Sequence, residues 1–313
     1  MRRTDVRLAG GEIPRGVVEL QDGRRISYLT EGSGTRTALL IHGSGMSARS
    51  WVNQLQHRPG ALRMVAIDLP GHGESDPPAG ESIDDYAAAV AEFLAILDRG
   101  PAVVIGHSLG GSIAIALAAR HPALVTALVL IASCVKLPLV DNVGERVVAF
   151  LPGPLRRLVF FSMAKKALFA PDAPADAIEV TMRDLRACRP ETMMADVHAA
   201  RAMDLTEQAA ALEVPTLVLA GGRDRLTTPP LAERLSALIR RSRLALADRA
   251  GHMLPQEAPE WVSREIATFV ESLAEPVPAS RALVAHRPAF LRRLFDWATR
   301  LALRRQAEDI KRN

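Results

Sequence analysis

A serine stands at the centre of Gly106-His107-Ser108-Leu109-Gly110-Gly111, directly after the apolar run 102–105 and directly before an apolar helical pattern. A serine hydroxyl is a poor nucleophile until a base takes its proton, and the base needs a carboxylate to fix its tautomer. The pattern is G-x-S-x-G between strand and helix, where a sharp turn raises the serine at its crest. Positions two residues either side must then be small, and Gly106 and Gly110 meet that need. Taken by itself, the same stretch also reads as a plain Gly-rich connection. A dinucleotide fingerprint would need glycine where Ser108 stands, and no phosphate loop ending in Gly-Lys-Ser/Thr occurs.

Eight histidines compete for the role of base. His107 adjoins Ser108, so its side chain points away from the crest. His42 and His72 lie in Gly-flanked loops after strands, where they line the site or shape the loops. His57, His121, His198 and His286 read as helical or surface residues. His252 differs: it sits in Arg249-Ala250-Gly251-His252-Met253, between the last strand pattern and the last helix. For the acid, Asp224 follows the pair Gly221-Gly222 directly after the strand pattern 216–220; a turn aspartate capping the next helix is its structural reading. The chain order Ser108, Asp224, His252 fits a nucleophile–acid–base triad at three strand ends. An oxyanion needs backbone donors. Leu109 N–H supplies one, and Ser44 N–H, ahead of Gly43, the second, from the loop His42-Gly43-Ser44-Gly45.

Strand-like runs at 17–20 and 25–30 flank Asp22-Gly23 as a hairpin. The runs 37–41, 64–67, 102–105 and 124–132 are almost wholly apolar, as in strands covered on both faces. Helical patterns at 48–56, 83–97 and 111–120 lie between them, so an antiparallel start leads into β-α alternation and a mostly parallel sheet. The alternation stops after Ser133. Residues 135–212 read as a Pro-punctuated helical insertion, a cap or lid. Strand and helix then resume at 216–220, 230–239, 243–247 and 259–273. The expected division is a core of 1–134 and 213–275, a cap of 135–212 and an extension of 276–313.

These residues resemble the α/β-hydrolase superfamily over about 17–275. The resemblance rests on His42-Gly43, on Asp68-Leu69-Pro70-Gly71-His72-Gly73-Glu74-Ser75, on the Ser108 turn, on Gly222-Arg223-Asp224 and on Gly251-His252. It implies an eight-stranded sheet, a helical cap before the acid's strand and no cofactor. Dehalogenases and epoxide hydrolases of this fold use aspartate as nucleophile, which Ser108 argues against. Cleavage of small to medium apolar carboxylic esters is the expected activity. A carbon–carbon bond hydrolase of ring-cleavage products is one alternative, with Arg186, Arg189 or Arg201 for a substrate carboxylate. A non-catalytic accessory or binding protein on the same fold is the other. Cap segments 147–151 and 158–163, with Met193, Met194 and Met203, offer apolar surface for a pocket or for the core.

The composition narrows the partners. The chain has 313 residues, 48% of them apolar, enough for one large domain or one with an insertion. No run of about 18 apolar residues occurs, and the start MRRTDVRLAGGEIPRG has no apolar stretch of a secretory signal. The two cysteines, Cys134 and Cys188, lack metal-ligand spacing and read as reduced structural thiols, with a single bridge as the alternative. Together these point to a cytoplasmic protein with no bound metal. The net charge of +4 is uneven, because 281–313 alone carries nine Lys/Arg and three Asp/Glu. The body is slightly acidic, so the basic balance gives no reason to expect nucleic acid as a partner. Phe290, Leu294, Trp297 and Leu301 form one helical stripe opposite arginines, which suits a peripheral membrane contact or self-association.

Overall fold

The computed structural model describes residues 6–8, 11–59, 62–138 and 153–273. A small hairpin, β1 (Val6–Leu8) and β2 (Gly11–Ile13), comes first, and sequence patterning did not indicate it. β3 (Arg15–Glu19) and β4 (Arg25–Glu31) form the expected hairpin around Gly23. There follow β5 (Arg36–Ile41), α1 (Val52–Gln56), β6 (Leu62–Ile67), α2 (Ile83–Leu97), β7 (Ala102–His107), α3 (Leu109–Arg120) and β8 (Val125–Ile131). Among the described residues four helices follow: α4 (Gly153–Leu168), α5 (Ala175–Ala187), α6 (Pro190–Ala202) and α7 (Thr206–Ala210). β9 (Thr216–Gly221), α8 (Pro229–Leu238), β10 (Ser242–Ala247), α9 (Leu254–Glu257) and α10 (Pro259–Ser272) complete the described chain. The short α9 was missed in the sequence because four residues carry no helical period.

Eight strands make one sheet in the order β10-β9-β8-β7-β5-β6-β4-β3. β4 runs antiparallel to both neighbours, and β5 to β10 are parallel. Alternate side chains of each central strand enter opposite cores. Leu39, Val104, Leu128 and Val218 pack with α2, α3 and α8, while Leu40, Val103, Val129 and Leu217 pack with α1 and α10. Burial on both faces is why these strands read as unbroken apolar runs. Parallel strands also end at a common edge, so the segments after β5, β6, β7, β9 and β10 are brought together there.

Local chemistry sets the boundaries. Ser82 Oγ accepts from Asp85 N at 3.1 Å while Asp85 Oδ2 accepts from Ser82 N at 3.0 Å, a reciprocal cap that starts α2. Buried Asp68, just past β6, accepts from Arg15 Nη1 at 2.6 Å and from Ala48 N at 2.7 Å. It thereby ties β3 to the segment after β5. Cys134 and Cys188 are both free thiols. No helix among the described residues is long and apolar enough to cross a membrane. The chain divides into two units, 1–274 and 275–313. The second unit, with the expected basic helix, lies outside the described residues, as does the cap segment 147–151.

A contrast between two glycines tests this account of the turns. A Cβ on Gly110 would overlap the Ile41 carbonyl oxygen and lie 2.5 Å from that of His42, both rigid backbone. One on Gly23 meets nothing, although its φ of +84° disfavours a side chain. Gly110→Ala should therefore cost about 3 kcal/mol or more, and Gly23→Ala about 1 kcal/mol. Urea unfolding reads both, and equal losses would contradict the packing argument.

Candidate active site

The turn after β7 places Ser108 at φ 52° and ψ −119°, backbone that non-glycine residues rarely adopt. Ser108 N donates to Ile131 O at 2.9 Å, and Ser133 Oγ donates to Ser108 O at 3.0 Å, which fixes the turn from β8 and beyond. The flanking glycines are required by contact. A Cβ on Gly106 would overlap the backbone of Gly110, and one on Gly110 the backbone after β5. β7 and α3 thus meet with no side chain between them, and the Ser108 side chain stays partly exposed.

Among the described residues, His252 is the histidine bonded to Ser108. Its Nε2 lies 3.0 Å from Ser108 Oγ and its Nδ1 2.8 Å from Asp224 Oδ2. An ionised carboxylate only accepts, so the proton of neutral His252 sits on Nδ1 and Nε2 is left to accept from the serine. Asp224 is 4% exposed. Burial pushes its pKa up, but the His252 charge and hydrogen bond, the Thr227 hydroxyl and the Leu226 amide outweigh burial and hold it below the ordinary value. Asp224 also keeps its turn role. Oδ1 accepts from Leu226 N at 2.8 Å and Thr227 N at 3.0 Å, while Oδ2 faces His252.

Two supporting residues escaped the sequence analysis. Thr227 Oγ1 donates to Asp224 Oδ2 at 2.7 Å and lies 3.2 Å from His252 Nδ1. Its signal was the Asp-x-x-Thr spacing, the local turn in which a carboxylate accepts from amides two and three residues on. Glu257 accepts from Gly251 N at 3.0 Å, Met253 N at 3.1 Å and Ala170 N at 3.0 Å. Burial raises its pKa against those three amides. His252 N and Met253 N donate to Leu168 O, so the His252 loop is held from both sides.

The remaining sequence candidates fall into supporting positions. His42 is fully buried and shapes its loop without exposing its ring. Nδ1 donates to Gly43 O at 2.8 Å, and Nε2 accepts from Leu69 N at 3.0 Å. Burial, then the neighbouring His72, depresses its pKa to about 4. His107 Nε2 donates to His252 O at 2.9 Å, with the two rings 5.2 Å apart. Burial, then His252, lowers its pKa to about 3. Gly43 runs against the serine, since a Cβ there would lie 3.2 Å from Ser108 Cβ. Gly43 O also accepts from Met46 N at 3.2 Å. A peptide N–H points opposite to its C=O, so these bonds turn Ser44 N–H away from His42 and Met46. Leu109 N–H opens α3, where no intrahelical acceptor exists for it.

Beside these loops Met46, Phe169, Met182, Leu185 and Met253 form a separate apolar cluster, with Phe161 and Met193 against it. Met194 is instead 69% exposed, and Met203 packs in the main core. Arg186 lies over the Phe161 ring at 5.7 Å, Arg189 donates to Ser75 O at 3.2 Å, and Arg201 is likewise engaged. Among the described residues no group of His, Cys, Asp or Glu is placed to hold a metal.

A model described as "Alpha/beta hydrolase family" matches residues 38–265, and the chain belongs to that family. It is 32% identical over 260 residues to the pimeloyl-[acyl-carrier protein] methyl ester esterase of Neisseria meningitidis serogroup A, covering 80% of this chain and 81% of that protein. Among solved structures, a hydrolase from Pseudomonas aeruginosa is similar at TM-score 0.73 and 26% identity, covering 82% of this chain and 98% of its own. A thermophilic esterase from Thermogutta terrifontis is similar at TM-score 0.72 and 25% identity, with the same coverage of 82% and 98%.

Buried neutral histidines leave a signature in stability. Because folding lowers the His107 pKa from 6.5 to about 3, the unfolded chain binds more protons between those values. The stability is fully present above pH 6.5 and falls as pH drops below it, by up to about 1.4 kcal/mol per pH unit for this residue. Urea unfolding between pH 6.5 and 4.5 should show a flatter slope in His107→Gln than in wild type. An unchanged slope would mean that the folded ring is not held neutral.

Proposed function

We propose that this protein is a serine hydrolase that cleaves carboxylic esters through an acyl-enzyme. The observation that carries the reading is the continuous chain from Ser108 Oγ to His252 Nε2 at 3.0 Å and from His252 Nδ1 to Asp224 Oδ2 at 2.8 Å. Ser108 Oγ attacks the ester carbonyl carbon as its proton passes to His252 Nε2. Asp224 keeps the imidazole oriented and stabilises its positive charge. Leu109 and Ser44 N–H groups receive the developing oxyanion, each worth about 3–4 kcal/mol of barrier. Collapse of the tetrahedral intermediate expels the alcohol, which leaves with the proton from His252. Water, deprotonated by His252, then attacks the acyl carbon, and the carboxylic acid departs as Ser108 regains its proton.

The esterase names of the relatives support ester hydrolysis over carbon–carbon cleavage, as do the engaged cap arginines. The four helices described between β8 and β9 support the reading of 135–212 as a cap on a core of 1–134 and 213–275. The methionine-rich cluster beside the loops supports a small to medium apolar acyl group, because thioethers adapt their shape readily. The methyl ester named for the Neisseria relative fits a small alcohol on such an acyl chain.

Ser108→Ala should lower turnover of short p-nitrophenyl esters by at least about 10³-fold with an unchanged circular dichroism spectrum. A fluorophosphonate should label wild-type protein once, on Ser108. Wild-type rates in the variant would contradict the mechanism, and folded protein that takes no label would favour a binding role.

The charge and stripe of 281–313 support a peripheral contact with anionic membrane. Truncation after Glu275 should abolish salt-sensitive sedimentation with anionic liposomes and leave short-ester turnover unchanged. A truncation that splits an oligomer would instead assign the segment to self-association.

A further inference from the structure

Asp196 is a fully buried carboxylate on the inward face of α6. Apolar packing alone would be served by a leucine, and enclosing a charge is costly unless donors surround it. Donors do surround it. Oδ2 accepts from Gly45 N at 3.0 Å and from His72 Nε2 at 2.9 Å, and Oδ1 accepts from Tyr86 OH at 2.9 Å. Burial opposes ionisation, yet His72, the Ser44 hydroxyl and the Gly45 amide hold the pKa below its ordinary value.

Gly45 N–H belongs to the peptide that follows Ser44. The peptide before Ser44 is fixed separately, through Gly43 O, by His42 Nδ1 and Met46 N. Peptide planes are rigid, so φ and ψ of Ser44 are the only soft torsions between these two units. The plane before Ser44 carries its N–H, and with the plane after it also held, that N–H cannot tilt without straining φ of Ser44 or breaking the Gly45 bond. Gly45 adopts φ +69°, and its α-carbon is bare because Met193 and Leu185 of the helical segment press on it.

We propose that Asp196 is a positioning residue for the reaction: from the helical insertion it clamps the Ser44–Gly45 peptide and so aims the Ser44 N–H at the reacting carbonyl oxygen. The inference rests on the oxyanion role given to Ser44 above. It makes the seating of α6 part of the catalytic geometry.

The test compares Asp196→Ala, Asp196→Asn and Tyr86→Phe with the full-length wild type. Each is measured as kcat and KM per site titrated to completion with a fluorophosphonate, and as inhibition by a trifluoromethyl ketone, whose adduct places an oxyanion at the same donors. Asp196→Ala should lower kcat about 10- to 100-fold with little change in KM, and weaken the ketone by a similar factor. Asp196→Asn can still accept from Gly45 N while its amide donates to Tyr86, so it should recover most of kcat. Tyr86→Phe loses a buried hydrogen bond of the same carboxylate, yet should lower thermal stability more than kcat.

Wild-type kcat per titrated site in Asp196→Ala, or a loss of kcat with undiminished ketone affinity, would overturn the proposal. Equal kcat losses in Asp196→Ala and Tyr86→Phe would also overturn it, since a purely structural cluster responds alike to both. If Asp196→Ala is insoluble, Asp196→Leu keeps the volume without an acceptor and is held to the same outcomes. Failure of the esterase reading is separate, because wild type itself would then neither turn over esters nor take the fluorophosphonate.

Discussion

The structure turns on the close approach of β7 and α3 at the Ser108 turn. The serine sits at φ 52° and ψ −119°, a conformation that costs on the order of 1–3 kcal/mol and persists only where the surroundings over-determine it. Here they do. Gly106 and Gly110 let the strand and helix backbones touch, and Ile131 O takes the Ser108 amide. The parallel order of β5 to β10 then delivers His42–Gly45, Asp224 and His252 to the same edge. A relaxed turn would leave the hydroxyl level with the sheet, out of reach of Nε2.

Around this turn the polar groups are layered. His107 and Glu257 hold the backbone that carries His252, and Thr227 holds the carboxylate that orients its ring. His42 and Asp196 hold opposite sides of Ser44. Several of these bonds leave the sheet domain for the helical segment. Ser47 Oγ donates to Asp184 Oδ2 at 2.7 Å, Thr192 Oγ1 to Gly71 O at 3.0 Å and Ala170 N to Glu257 at 3.0 Å. The helices are therefore stitched to the loops after β5, β6 and β10. Movement of α5 as a rigid lid would break the Ser47–Asp184 bond, and movement of α6 the buried Thr192–Gly71 bond. The methionines beside them, by contrast, can change rotamer at small cost, so substrate entry is better served by side chains than by helices.

Much of this was legible in the sequence because the signals are local. A bare glycine either side of Ser108, an apolar strand before it and a helix after it lie within one short stretch. Asp224 and His252 likewise follow strand patterns and sit beside glycines. The strands of the parallel sheet announced themselves as continuous apolar runs since both faces are covered. What stayed hidden depends on partners distant in the chain. Asp196 reads as an ordinary helix-face aspartate until folding brings it to Gly45, His72 and Tyr86. Glu257 sits in a four-residue helix with no period to reveal it, and β1 and β2 are three residues each. His42 showed its place by its glycines, but its buried, purely backbone-directed ring needed the fold.

The central claim is that the ester's acyl group is transferred to the hydroxyl held by His252 before water takes it. Product partitioning in methanol-containing buffer tests this whichever step limits the rate. A series of esters sharing one acyl group but differing in leaving alcohol should give one constant ratio of methyl ester to free acid, because all pass through the same acyl-enzyme. A ratio that changes with the leaving alcohol would mean that water attacks the bound ester directly, and would contradict the account.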